Sequence, residues 1–233
     1  MLGTETAVAK AMAMAERPAH PFVETTIDIP RGVTLRASLG TPDGVALGVV
    51  VFAHGSGSSR HSGRNRQVAG VLHAAGLGTL LLDLLTESED EEDRITGRHR
   101  FAVEMLGERV MSAIDWLCDV GTAPLGVFGA STGAAAALIA AAGRPDQVEA
   151  VVSRGGRPDL AGKALAGVKA PTLLIVGGRD TSVLEMNVSA RAEMIAETAL
   201  EVVPGAGHLF EEPGTLDVVA ELAKSWFIRH LAG

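Results

Sequence analysis

Two alternating stretches come first. FVETTIDI (22–29) and VTLRASL (33–39) place apolar side chains at about every second position, and Pro30-Arg31-Gly32 joins them, which predicts a β-hairpin. The pattern then changes. LGVVVFA (47–53) and GTLLLDL (78–84) are nearly unbroken apolar runs, as expected of strands covered on both faces. Shorter runs predict strands at 124–128, 148–152, 172–176 and 200–203. A glycine- and serine-rich loop, 54–59, leads into a helix that runs to about residue 75. Helical periodicity marks 98–119, with Phe101, Met105, Val110, Ile114 and Leu117 near one face, and further helices are expected at 132–142, around 183–196 and at 215–230. A short loop with a helical turn follows the 148–152 strand, and ESEDEED (87–93) reads as a solvated acidic loop.

Strands alternating with helices predict an α/β fold: a mostly parallel central sheet with helices on both faces and an N-terminal antiparallel hairpin at one edge. No segment between strands is long enough for a separate cap domain, so the expectation is an N-terminal arm (1–21) and one catalytic domain (22–233). The net charge of −8 argues against nonspecific nucleic-acid binding. No apolar run approaches the roughly 20 residues that span a bilayer, and the N-terminus does not read as a secretory leader, so a cytoplasmic location is expected. Cys118 is the single cysteine, which rules out an intrachain disulfide; its place inside the long helix predicts a buried thiol. The chain has no tyrosine, which removes any chemistry that needs a tyrosine acid or oxyanion donor.

In such sheets ligands sit beyond the carboxyl ends of the strands. One junction there reads Gly129-Ala130-Ser131-Thr132-Gly133, between an apolar run and a run of alanines. Gly126, Gly129 and Gly133 lack the G-x-G-x-x-G spacing of a dinucleotide loop, and no Gly-Lys-Ser/Thr is present. The junction does have the form G-x-S-x-G, a sharp turn that presents a serine nucleophile and needs small flanking residues. A serine hydroxyl needs a base. Asp180 in Gly-Gly-Arg-Asp and His208 in Gly-Ala-Gly-His follow the next strand ends in the order Ser, Asp, His. The competing reading of Asp180 is the N-cap of the following helix. Acyl transfer also needs two N–H donors for the oxyanion: Thr132 supplies one, and the His54-Gly55-Ser56-Gly57 loop the other, with Ser56 first and Gly57 second. His54 is expected to orient this loop at the substrate side.

His-Gly-Ser-Gly, Gly-Ala-Ser-Thr-Gly, Gly-Gly-Arg-Asp and Gly-Ala-Gly-His together resemble the α/β-hydrolase superfamily, over about residues 22–230. The short chain without a cap resembles its dienelactone-hydrolase-like group, which implies a hydrolase of esters or lactones. Dienelactone hydrolases proper use a cysteine nucleophile; the elbow here carries Ser131, so the dienelactone substrate does not carry over.

The expected activity is hydrolysis of a carboxylic ester, lactone or thioester through an acyl-enzyme. The alternatives are acyl transfer or cofactor-free perhydrolysis on the same three residues, or a non-catalytic small-molecule binding module. Sixteen arginines against four lysines bear on the substrate. Arg60, Arg64, Arg66, Arg154 and Arg157 fall on expected loops at the active end, and Arg154, directly after a strand, is the candidate for an anionic substrate group. The alternative is that these arginines pair with Asp159 or the acidic run. His61, His73 and His99 show no metal-ligand spacing, so neither metal nor cofactor is expected. The expected partner is a small molecule rather than nucleic acid or membrane, and the chain is a monomer or homodimer.

Overall fold

The alternating hairpin is built as β1 (Phe22–Ile29) and β2 (Val33–Gly40), paired antiparallel from Phe22–Gly40 to Ile29–Val33 around a 3-10 turn. The structure, a computed structural model, describes residues 22–121 and 123–232; the expected arm, 1–21, lies outside them. Six further strands complete one sheet: β3 (Val49–Ala53), β4 (Gly78–Leu82), β5 (Leu125–Ala130), β6 (Val148–Arg154), β7 (Thr172–Gly177) and β8 (Thr198–Val203). Their order is β1-β2-β4-β3-β5-β6-β7-β8. The β2–β4 pair is antiparallel, and every pair from β4–β3 to β7–β8 is parallel.

Among the described residues six helices cover the sheet: α1 (Gly63–Ala74), α2 (Glu87–Thr96), α3 (Val103–Val120), α4 (Thr132–Gly143), α5 (Thr181–Glu193) and α6 (Thr215–Leu231). Strand alternation divides the core between the two faces. Val51, Ala53, Val127 and Val151 pack with α3 and α4. Val50, Phe52, Phe128 and Val152 pack with α1 and α6. Phe52 and Phe128 are register partners across β3 and β5, and their rings stack at 4.8 Å. The chain leaves β3 for β4 on one side and returns to β5 on the other. That reversal opens a crevice beyond the carboxyl ends of β3 and β5.

Several boundaries differ from the sequence expectation. The acidic run is not a loop: it is most of α2. Thr86 Oγ1 accepts from the Glu89 N–H (3.3 Å) and the Glu89 carboxylate accepts from the Thr86 N–H (2.8 Å), a reciprocal cap. Glu87, Glu89 and Asp90 lie in the first turn, where negative charge suits the helix dipole. Arg109 from α3 donates to both Glu89 oxygens at 2.6 and 2.7 Å. The long helix begins at Val103, so Phe101 lies outside it and is 60% exposed. Its buried stripe is Val103, Leu106, Val110, Ile114 and Leu117, and Cys118 falls one position past that stripe, exposed rather than buried. β5 and β6 run two residues further than expected, so Arg154 is the last residue of a strand, not the first of a loop. The helical turn after β6 is a 3-10 segment, Pro158–Gly167. Among the described residues no helix is long and apolar enough to cross a membrane.

Candidate active site

β5 ends at Ala130 and α4 begins at Thr132, so a single residue makes the turn. That residue is Ser131, with φ 52° and ψ −122°, a conformation an L residue adopts only when its surroundings force it. The Ser131 N–H donates to the Arg154 carbonyl (3.2 Å), and the Ser131 carbonyl accepts from the N–H groups of Ala134 and Arg157 (both 3.0 Å). Close approach explains the flanking glycines. A Cβ at Gly129 would lie 2.4 Å from Ala134 Cα, and one at Gly133 would lie 2.4 Å from the carbonyl oxygens of both Ala53 and His54. Ala134–Ala137 are fully buried and bring α4 close to the sheet.

Asp180 occupies the N-cap position of α5, yet its side chain makes no capping bond. Its Oδ2 instead lies 2.6 Å from His208 Nδ1. The loop after β8 brings the histidine there. A Cβ at Gly177 would lie 2.5 Å from the carbonyl oxygens of Ala206 and Gly207, so only glycine lets that loop cross the end of β7. The Arg179 N–H donates to the Ala206 carbonyl (2.9 Å), and the Glu212 carboxylate accepts from the Gly207 N–H (3.1 Å) while pairing with Arg179. The Gly207 N–H holds the Glu212 carboxyl below its ordinary range. Glu212 is not evident from sequence; its signal, a carboxylate four residues beyond His208, is weak on its own.

His208 Nε2 lies 3.2 Å from Ser131 Oγ. With the Nδ1 proton donated to Asp180, Nε2 is left as the acceptor for the Ser131 hydroxyl. Ser131, His208 and Asp180 therefore form one hydrogen-bonded line across three strand ends.

The loop after β3 lies alongside. Ser56 and Thr132 are in contact: the Ser56 N–H donates to Thr132 Oγ1 (3.0 Å), and the two hydroxyl oxygens are also 3.0 Å apart. His54 is buried, and both ring nitrogens are spent on backbone. Nε2 accepts from the Leu84 N–H (3.0 Å), which places the proton on Nδ1, 2.8 Å from the Gly55 carbonyl. Burial lowers the His54 pKa and keeps the ring neutral. His54 is thus a brace between the β3 and β4 loops, with no ring nitrogen left over for a substrate. Gly57, at φ 66°, lines a smaller cavity toward Arg100 rather than the cleft at Ser131.

The cleft at Ser131 has a volume of about 210 Å³ and is lined by Ser56, Ser62, Arg64, Ser131, Arg154 and His208, among others. Most of the candidate arginines are occupied. Arg60 pairs with Asp83 and with Glu24 (2.9 Å), Arg157 with Asp159 (2.7 Å), and Arg64 with Glu211 (3.2 Å). Arg66 donates to the Arg60 carbonyl (3.3 Å) and lies 4.8 Å over the Phe22 ring. Arg154 differs: it is 6% exposed, and its Nε has no hydrogen-bond partner. Among the described residues no group of three or more His, Cys, Asp or Glu side chains is arranged to hold a metal ion.

A dienelactone hydrolase from Anabaena variabilis is 51% identical in sequence with a TM-score of 0.87, over 91% of this chain and 99% of that one. Est1E from Butyrivibrio proteoclasticus shares the fold at 17% identity, with a TM-score of 0.74 over 90% and 99% of the two chains. Proteins from two strains of Mycobacterium tuberculosis, each named "Putative phosphoribosyl transferase", are 60% identical over 189 residues. Those residues are 80% of this chain, which spans only 42% of the relatives' length. The family model described as "Dienelactone hydrolase family" matches residues 35–229. With eight strands in the order found, the strained Gly129–Gly133 elbow at the switch point and this match over most of its length, the chain belongs to the dienelactone hydrolase family, in the α/β-hydrolase fold.

Proposed function

We propose that the chain is a serine-dependent hydrolase of a carboxylic ester, lactone or thioester of a small substrate. The observation that carries this reading is the line Ser131 Oγ to His208 Nε2 (3.2 Å) and His208 Nδ1 to Asp180 Oδ2 (2.6 Å), with the serine on a strained elbow. In the proposed sequence Ser131 Oγ attacks the carbonyl carbon and its proton passes to His208 Nε2. Asp180 holds the ring orientation and balances the imidazolium charge. Thr132, first in α4, brings an N–H without an intrahelical acceptor to the developing oxyanion, and the Ser56 N–H, which donates to Thr132 Oγ1 (3.0 Å) in the resting site, becomes the second donor by exchanging that bond for the oxyanion. His208 then protonates the leaving oxygen or sulfur. Water attacks the acyl-enzyme with His208 again taking the proton, and Ser131 is released.

Cys118 does not compete as nucleophile. It lies on the last turn of α3, and partial desolvation of the sulfur followed by the charges of Asp115 and Asp119 pushes its pKa up, away from thiolate. Phosphoribosyl transfer is not proposed for this chain: it spans 42% of the relatives so named, and its elbow glycines lack phosphate-loop spacing.

The test is intact mass after incubation with a fluorophosphonate probe. A single adduct is expected on the wild-type chain and none on Ser131→Ala. An adduct that persists in the variant refutes the assignment of Ser131. Product analysis with added alcohol or amine acceptors then separates hydrolysis from acyl transfer.

A further inference from the structure

Unspent hydrogen-bonding capacity converges on one wall of the cleft at Ser131. Among the described residues, the buried side-chain atoms without a partner include Arg154 Nε, Arg64 Nε and Asn65 Oδ1, and all three residues line this cleft. Arg154 and Asn65 are 6% and 2% exposed. A protein interior rarely leaves a guanidinium in that state, because a buried charge without a counter-ion costs stability.

The position of Arg154 is fixed from several sides. It is the register partner of Ala130, and its carbonyl accepts the Ser131 N–H, so its backbone adjoins the nucleophile's. Its guanidinium lies 5.9 Å over the ring of Phe210. Phe210 is itself held at φ 55°, a conformation that is strained for a bulky residue, two positions after His208. Burial first, then the charge of Arg64, pulls the Arg154 pKa down to about 10, which leaves it charged at neutral pH.

Facing it is the start of α1. Ser62 caps this helix by accepting from the Asn65 N–H (3.3 Å), and Ser62, Arg64 and Asn65 all line the cleft. A helix N-terminus attracts anions through its dipole and its orphan N–H groups. The counter-ion of Arg64, Glu211, is 66% exposed, so solvent screens that pair and a ligand can exchange with it.

We propose that Arg154, Arg64 and the first turn of α1 form a subsite for an anionic oxygen group of the substrate, a carboxylate or a phosphate, beside the Ser131 hydroxyl. This deepens the hydrolase reading and rests on it. Guanidinium suits both groups because its fork donates two parallel hydrogen bonds to a pair of anionic oxygens. The charge supplied is one unpaired guanidinium, a second that is weakly paired, and the end of a helix, enough to hold an anion on a site whose remaining walls are neutral.

The test compares 4-nitrophenyl esters of butyric acid, succinic acid (the hemiester) and 3-phosphonopropionic acid on wild type, Arg154→Met and Arg154→Lys. Titration calorimetry of wild type and Arg154→Met with succinate and with inorganic phosphate runs beside it. The wild type is expected to favour one of the anionic esters over the neutral one, and which one it favours separates carboxylate from phosphate. In Arg154→Met the anionic-to-neutral ratio of kcat/KM is expected to fall tenfold to a hundredfold, about the worth of a charge-assisted hydrogen bond. Arg154→Lys is expected to recover part of that ratio. Melting temperature gives a readout that a structural role would move the other way: removing an unpaired buried charge should raise it. A lower melting temperature with an unchanged ratio overturns the proposal and leaves the hydrolase reading standing. If no ester is turned over, the hydrolase reading falls and calorimetry decides the subsite: anion binding that Arg154→Met abolishes supports it, and absence of binding to wild type overturns it.

Discussion

Replacing Gly133 by alanine puts a methyl carbon 2.4 Å from the carbonyl oxygens of Ala53 and His54. That is 0.6 Å inside the 3.0 Å that such carbons essentially never breach. Both oxygens belong to backbone at the end of β3, and β3 is tied to β4 on one side and β5 on the other. Neither oxygen can withdraw alone, so the elbow and the 54–58 loop must separate. Overpacking costs about 1–3 kcal/mol, and a clash of backbone with backbone belongs at the upper end, about 3 kcal/mol. For a chain of this length that is a fall in Tm of about 6–12 °C. The same shift separates Thr132 Oγ1 from the Ser56 N–H that donates to it (3.0 Å), and a displacement approaching 1 Å at a reacting centre costs about a hundredfold in turnover. Thermal unfolding and hydrolysis of a chromogenic ester read the two effects. Gly70→Ala is the matched control: the residue is exposed on α1 with nothing within 4 Å of the added carbon, so it should gain about 0.5–1 kcal/mol from helix propensity. A Gly133→Ala protein with wild-type Tm and wild-type turnover would refute the argument that close approach, rather than chance, puts glycine at 133.

Asp180→Asn keeps the shape of the site but loses the charge opposite His208; a fall in kcat of about 10³–10⁴-fold with a Tm change of a few degrees at most is expected, and a variant within tenfold of wild type removes Asp180 from the mechanism. Thr132→Val deletes the acceptor of the Ser56 N–H and keeps the Thr132 amide, so stability should fall by about 0.5–1.5 kcal/mol and kcat by less than tenfold; a hundredfold loss would put the hydroxyl itself on the oxyanion. Burial alone would raise the Glu89 pKa, but Arg109 and the Thr86 N–H outweigh it and hold it at about 2, below the ordinary 4.5. A depressed carboxylate stabilises fully above its unfolded value, so this contribution, about 1–2 kcal/mol after solvent screening, should be lost as pH falls from about 4.5 through 2. Glu89→Gln should lose that pH dependence in denaturant titrations, and an unchanged acid profile would count against the Glu89–Arg109 pair.

The parts of this molecule that are legible in its sequence are those where backbone geometry restricts the residue. Gly129, Gly133 and Gly177 stand where another backbone passes within 2.4–2.5 Å of a would-be Cβ, and each flags a strand end that carries Ser131 or Asp180. Buried strands are legible because both faces demand apolar residues, as at 49–53 and 78–82. α2 escapes a reading by periodicity because its charges hide any apolar stripe; the signal present is the Thr86-x-x-Glu89 cap. Cys118 is misplaced when membership of the helix stands in for its facing: it follows the buried Leu117 by one residue, which turns the helix by about 100° toward solvent. Sequence names Arg154 as a candidate and Asp159 as a possible partner, but it does not settle which arginine pairs. Arg157 and Arg154 lie three residues apart, but one finds Asp159 and the other finds no carboxylate, and pairing is settled by tertiary neighbours.

Ser131 is held in a backbone conformation that glycine adopts freely and serine does not. On the proposed reading of Ser131, the fold is therefore built against its own nucleophile. Glycine at 131 would relieve about 1–2 kcal/mol of strain and abolish the hydroxyl in one step. Selection for an abundant, well-folded chain and selection for turnover thus pull in opposite directions at this residue. A lineage that kept the protein only for its pocket would shed the serine early and gain stability by doing so. If Ser131 is the proposed nucleophile, persistence of serine at 131 in descendants of this chain records continuing use as a catalyst, a record that an ordinary surface or core position could not supply.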